Sequence, residues 1–388
     1  MVNVKNIVVI GVGLMGNGIA QISLMAGYNT TLVDISQEVI DKATASIEGG
    51  LKKLESKGVL NAAENIARMK TSLDLASAVK DADLIIEAVV EDMDVKKKLF
   101  KICDENAPPH AVIASNTSTM SITEMASATN REDKCIGMHF FNPAPLMKLV
   151  EVIAGEKSSE ESMEIGVKVS ESLPCLRGDR FVAKVLKDRP GFIVNRLNAP
   201  RGIYMNYLLD TCLERGIPFE SLDADFGSGG PMSPLVLSDY TGIDTGYHVR
   251  NYYAETLHED FRPGKVVTKM FNEGKLGRKT GQGFYDWSKG RPQPDFSKIK
   301  KAGLVNPGIG LAIRLNEGCR ILEEGIASGW KIIDDANMAG MNFPGPFEYG
   351  IKNWQNLVKL LEEFAGKIGS EYLKPCGLFR SGKFVDMK

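Results

Sequence analysis

NIVVIGVGLMGNGIAQISLMAGYNTTLVD, residues 6 to 34, joins an apolar, β-branched run (Ile7 to Ile10) to glycines at 11, 13 and 16, a helical pattern and a second strand ending at Asp34. Glycines alone also punctuate ordinary turns. Here a strand precedes them, a helix follows, and an acid stands 23 residues beyond Gly11. That is the order a dinucleotide-binding βαβ unit requires. Gly11 permits the tight turn, Gly13 lets the backbone approach a pyrophosphate, and Gly16 allows the helix to pack closely on the strand. The helix N-terminus offers N–H groups and a positive dipole end to the phosphates. Asp34 is expected to accept hydrogen bonds from the adenosine ribose, where a 2′-phosphate would meet a like charge at a cost of about 4 kcal/mol. NAD is therefore expected in preference to NADP.

Outward from this unit the alternation continues. Apolar runs around Leu84 to Ala88, Val112 to Ser115 and Cys135 to Met138, separated by helical stretches such as 95 to 104, predict buried parallel strands. Each ends in polar residues: Glu91, then Ser115 to Ser118, then His139 and Asn142. Ligands of an open α/β sheet sit beyond the carboxyl ends of its strands, so these groups are expected to converge on the cofactor.

The 388 residues predict two or three domains, and 47 Lys and Arg against 49 Asp and Glu leave a formal net charge of -2. That balance argues against a nucleic-acid partner. No window reaches the apolar length of a membrane span, and MVNVKNIVVIG enters a strand without a charged leader, so a cytoplasmic protein is expected. The six cysteines form no CxxC pair and the four histidines have no metal-ligand spacing, which predicts free thiols and no metal.

His139 stands in GMHFFNPAPLMKLVEVIAG, residues 137 to 155. A single histidine at a strand end is commonly a structural hydrogen bonder. The segment LMKLVEVIAG, however, reads as a strand returning after the NPAP turn, which allows Glu151 to come back beside the imidazole. Such a pair would fix the tautomer and support the positive charge while His139 takes a hydroxyl proton and hydride leaves for NAD.

The residues GVGLMG, EAVVEDMDVKKKLF, SNTSTMSI, HFFNPAPLMKLVEV, RPGFIVNRL and GRKTGQGFY occur in this order between residue 4 and about residue 287. Together they resemble the L-3-hydroxyacyl-CoA dehydrogenases of β-oxidation and related butanoate pathways. The resemblance implies an acyl-CoA substrate, with His139 as catalytic base and Glu151 as its partner. It further implies that Ser118 and Asn195 bind the substrate oxygen or hold nearby groups. Glu91, Lys96, Asn142 and Lys279 would lie around the nicotinamide and ribose. Lys57 matches a family lysine that meets the CoA nucleotide, whereas a neighbouring family serine is Gly50 here. The stretch 181 to 188 is longer than the family carries at this point and reads as an extended loop.

After RPGFIVNRL the pattern becomes helical from about Phe192, with Asn195 in the first turn. RLNAPRGIYMNYLLDTCLERG from Arg196 resembles RLNEGCRILEEGIASG from Arg314, an offset of 118 residues, and GSGGPMSPL resembles GMNFPGPFE. The offset places Ile313 at the position of Asn195, and the second copy lacks a GRKTGQGFY segment. The expected fold is thus α/β, a Rossmann-type NAD-binding domain over 1–187 followed by two related all-α domains, 188–290 and a degenerate copy over 291–388. Packing of the two copies as a pseudo-dimer would yield a monomer, or a homo-oligomer built through another surface. Two rivals differ in their needs. A β-hydroxyacid dehydrogenase of the phosphogluconate type would use a helical-domain lysine and have no use for HFFNP followed by Glu151. A non-catalytic NAD-binding protein on the same fold would not need Ser118, His139, Glu151 and Asn195 together.

Overall fold

The computed structural model describes residues 3–227 and 232–388, so part of GSGGPMSPL lies outside the described residues. The chain divides into two compact units. One comprises Met1–Asn195, Ile321–Gly345 and Met387–Lys388; the other comprises Arg196–Arg320 and Pro346–Asp386.

The first unit is built on strands β1 (Asn6–Ile10), β2 (Asn29–Val33), β3 (Met69–Ser72), β4 (Leu84–Glu87), β5 (Val112–Ser115), β6 (Cys135–Phe140), β7 (Leu149–Ala154) and β8 (Phe181–Val185). Their order is β3-β2-β1-β4-β5-β6-β7-β8. Pairing is parallel from β3 through β6, antiparallel between β6 and β7, and parallel again between β7 and β8. Successive side chains leave a strand on opposite faces, so a β-branched run lets one strand feed two cores. Ile7 and Val9 pack with Ile19 and Ile22 of helix α1 (Leu14–Met25) and Ile40 and Ile47 of helix α2 (Gln37–Glu55). Val8 and Ile10 pack on the other face with Phe100, Cys103 and Met125. Burial pushes the Cys103 and Cys135 thiols up to about 12, and all six cysteines are free. Among the described residues no helix is long and apolar enough to cross a membrane, and no cluster of ligating side chains is arranged for a metal ion.

The stretch 181 to 188 is not the extended loop expected from its length. Its first five residues form β8, in register with β7 from Leu149↔Phe181 to Ile153↔Val185. The strand is then continued by a bond from Leu186 N to Ile326 O at 2.8 Å, within the same unit. Helix Trp330–Met341 packs on β7 and β8. A Cβ on its Gly340 would stand 2.7 Å from Leu149 Cδ2 and 3.2 Å from Phe141 Cε1, so only glycine lets the helix lie this close. β3 escaped the sequence reading because MKTS is short and polar, with two exposed residues.

In the second unit, Tyr204 and Tyr207 of helix Arg201–Arg215 meet Phe364 edge-on at 5.2 and 5.4 Å. Asp260 accepts from Ser370 Oγ at 2.7 Å and Tyr372 N at 2.8 Å. The two stretches that resemble each other in sequence are also in direct contact: Arg196 Nε is bonded to Glu317 Oε1, with both side chains buried. Glu317 further accepts from Tyr372 Oη at 2.8 Å and Arg320 Nη1 at 3.0 Å. Ile313 is buried, an apolar residue at the position offset from Asn195.

Removing one partner of a buried ion pair leaves the other charge without compensation, at a cost of roughly 3–5 kcal/mol. Glu317→Leu is therefore expected to destabilise the second unit by about that amount. Pairing it with Arg196→Met should recover most of the loss. Denaturant unfolding of the two variants checks this; an unchanged midpoint in Glu317→Leu would refute it.

Candidate active site

Val33, Ile10, Glu87, Ser115 and Gly137 are register partners across β2, β1, β4, β5 and β6 and form one row at the carboxyl edge of the parallel strands. Immediately beyond it come Asp34, Gly11, the segment Asn116 to Ser118, and His139. The chain leaves β1 toward β2 on one side and β4 lies on the other, which opens a crevice at this edge.

The glycine turn is shaped for a diphosphate. Gly11 has φ 83°, and a Cβ on Gly16 would fall 1.9 Å from Gly11 O, so strand and helix touch there through backbone. A Cβ on Gly13 would meet nothing within 4 Å, and Gly13 is the N-cap of α1 with no side-chain cap. The first N–H groups of the helix are thus left for an anion. Asp34 is oriented by Val12 N, 3.1 Å from Oδ2, and by Ser36 N, 3.2 Å from Oδ1. Each oxygen retains a lone pair for a ribose hydroxyl. Leu14, Ile35 and Val90 are exposed apolar residues on the loops of this edge. An open glycine, an uncapped helix end and a free-sided carboxylate fit a dinucleotide.

On the next two strands a polar cluster forms. Lys96 Nζ is buried between Glu87, at 2.7 and 2.9 Å from its two oxygens, and Glu91 Oε2 at 3.2 Å. Glu91 Oε1 accepts from Ser118 N at 2.9 Å, Ser118 Oγ at 3.3 Å and Thr117 Oγ1 at 3.1 Å. Asn195, in the short helix Val194–Asn198, donates from Nδ2 to Ser118 O at 3.4 Å. Asn116 Oδ1 accepts from Phe140 N at 2.8 Å and so ties this loop to the end of β6.

His139 and Glu151 are directly opposite each other in the antiparallel β6–β7 pair. His139 Nδ1 lies 2.7 Å from Glu151 Oε2, with the carboxylate fully buried. Glu151 Oε1 accepts from Ile193 N at 3.2 Å and Val194 N at 2.9 Å. An ionised carboxylate only accepts, so Nδ1 is the nitrogen that donates, and in the neutral ring the lone pair then falls on Nε2. The imidazole is flanked by Phe141 and Phe192, with centroid separations of 4.5 and 5.8 Å.

Asn142 is exposed at the turn following β6. Lys57 is exposed beyond the end of α2, and a Cβ on Gly50 would meet the Gln21 amide nitrogen at 3.0 Å. Lys279 belongs to the second unit, where its Nζ pairs with Asp244. The sequence gives no role to Glu87, and Asn116 enters only within the run Ser115 to Ser118. The available signal for Glu87 was an acid closing an otherwise apolar strand, LIIE, with a lysine nine residues on.

Residues 6–174 match the NAD-binding domain of the 3-hydroxyacyl-CoA dehydrogenases, and residues 191–287 match the C-terminal domain of the same family. The mitochondrial hydroxyacyl-coenzyme A dehydrogenase of Sus scrofa is 40% identical over 299 residues, which cover 73% of this chain and 91% of that protein. A 3-hydroxybutyryl-CoA dehydrogenase of Clostridioides difficile is 38% identical over 292 residues, covering 72% and 99%. The crystal structure of 3-hydroxybutyryl-CoA dehydrogenase from Escherichia coli K12 superposes with a TM-score of 0.83 at 27% identity and covers 98% of both chains, so the tail beyond residue 287 has a counterpart there. With both domains matched in order and relatives aligned over nearly their whole length, the chain belongs to the 3-hydroxyacyl-CoA dehydrogenase family.

Proposed function

We propose that this chain oxidises (S)-3-hydroxyacyl-CoA thioesters to 3-oxoacyl-CoA, reversibly, with His139 as the acid/base group. The observation that supports this most strongly is the His139–Glu151 bond at 2.7 Å, which leaves Nε2 free to accept the hydroxyl proton. Bound NAD would supply the hydride acceptor. As the C3 hydrogen leaves with its electron pair, the O–H proton passes to Nε2, and the positive charge that appears on the ring is met by Glu151. Ile193 N and Val194 N hold that carboxylate in place through the step. Ser118 and Asn195, joined through the Ser118 carbonyl, are assigned to the substrate oxygen. Gly11, Gly13, Gly16 and Asp34 are assigned to the dinucleotide, Glu91 and Asn142 to the nicotinamide end, and Lys57 to the CoA nucleotide. Lys96, whose ammonium lies between Glu87 and Glu91, is assigned with Glu91 to the nicotinamide and ribose end. Lys279 is assigned to the cofactor end on the family resemblance alone.

In this proposal a cofactor domain spans 1–187 and two related helical copies span 188–290 and 291–388. Contacts of the Arg196–Glu317 kind support a fused pseudo-dimer, permanently at high effective concentration, that works as a monomer in the cytoplasm.

His139→Ala should lower kcat by roughly 100- to 10,000-fold with NADH affinity little changed, since general acid/base groups contribute on that scale. Steady-state rates with acetoacetyl-CoA together with NADH fluorescence titration test this, and near wild-type turnover would sink the mechanism. Asp34 should hold kcat/KM for NADP about a thousandfold below that for NAD, the equivalent of about 4 kcal/mol of repulsion. Asp34→Ala combined with Ile35→Arg should narrow the gap; equal use of both cofactors by the unaltered protein would contradict the assignment. Light scattering on the eluting full chain should return a mass near 42.4 kDa, whereas a mass twice as large would contradict the monomer.

A further inference from the structure

Glu87 is wholly buried, and a carboxylate so placed must be paired and fully hydrogen-bonded to persist. It receives Lys96 Nζ on both oxygens at 2.7 and 2.9 Å, Val89 N at 2.6 Å and Ser115 Oγ at 2.6 Å. Two arms run outward from it. Through Lys96 it reaches Glu91 Oε2 at 3.2 Å, and Glu91 in turn holds the N–H and hydroxyl of Ser118. Through Ser115, whose Oγ accepts from Thr117 N at 3.1 Å, it reaches Thr117, whose Oγ1 donates to the same Glu91 at 3.1 Å. A merely structural ion pair would have no need for both arms to end on one half-exposed carboxylate at the ligand edge.

The charge count adds a second property. Glu87, Glu91 and Lys96 together carry two negative charges and one positive, a net negative cluster at the edge where the nicotinamide is assigned. The oxidised nicotinamide ring is cationic and the reduced ring is neutral. A net negative group beside it therefore stabilises NAD relative to NADH.

We propose that Glu87 is a positioning residue that sets Ser118 through Lys96 and Glu91, and that the charge it contributes biases the site toward the oxidised cofactor. This rests on the dehydrogenase reading of the same edge. Neutralising Glu87 leaves Lys96 to cancel Glu91, so the cluster loses its net charge, and the ammonium that positions Glu91 against Ser118 loses its anchor.

The test is equilibrium titration of the full chain with NAD and with NADH, alongside thermal melting and kcat, for Glu87→Gln and for Glu87→Gln combined with Lys96→Gln. Glu87→Gln should weaken NAD by roughly tenfold relative to NADH, as expected for loss of one unit charge nearby. The double variant keeps a net single negative charge on Glu91 and buries no unpaired charge, so its NAD-to-NADH affinity ratio should return to the wild-type value. Its kcat should stay at least about tenfold low, because Glu91, which holds Ser118, is no longer fixed by Lys96. Should Glu87→Gln fail to fold, the double variant decides: low kcat with an unchanged affinity ratio supports the proposal, and wild-type kcat overturns it. An equal loss of both cofactors, or no loss of either, in folded Glu87→Gln also overturns it. Wild-type protein that binds no NADH would instead count against the dehydrogenase reading itself.

Discussion

A carboxylate with no access to water governs the catalytic half of this molecule. Removing Glu151 from solvent costs several kcal/mol unless donors replace the lost hydration. Those donors come from two places: His139 on the neighbouring strand and the N–H groups of Ile193 and Val194. One side chain thereby fixes the β6–β7 register, the tautomer of the imidazole and the path of the chain after Pro190 and Gly191. Phe192 adopts φ 56° just before the two donors, a left-handed conformation that costs a bulky residue about 1–3 kcal/mol. The buried packing of its ring and the two bonds that follow sustain it.

The same physics recurs on the adjoining strands. Glu87 is buried at the last position of β4, where the sheet ends and the loops begin. Buried charge at a strand end is costly by itself, but it organises the polar loops that follow in a way apolar packing cannot. The sheet supplies a rigid row from Val33 to Gly137, and the carboxylates just inside the edge convert that row into fixed orientations of Ser118 and His139.

Much of this was readable in the sequence because it is periodic or local. The run Ile7 to Ile10, the three glycines and Asp34 define a unit whose geometry follows from backbone sterics and helix dipoles. Likewise, His139 and Glu151 lie twelve residues apart across a turn, and a returning strand can place them opposite each other. Other features leave no such mark. Glu87 closes an apolar strand as an acid, but that it is buried follows only from its partner, nine residues away on a helix. FVAKV reads as a loop until it is seen that β7 offers an open edge and that 321–345 returns to cover the strand. Gly340 signals nothing until Phe141 and Leu149 are found against it. These are tertiary facts, and single-sequence periodicity does not record them.

The central claim is that Glu151 holds His139 with its proton on Nδ1 and its lone pair on Nε2. Nitrogen-15 NMR of the histidine-labelled full chain near pH 8, with His139 assigned by substitution, reads this directly. The account predicts a protonated Nδ1 with a strongly deshielded proton and an unprotonated Nε2. A His139 that carries its proton on Nε2, or that exchanges freely between the two tautomers, would contradict it.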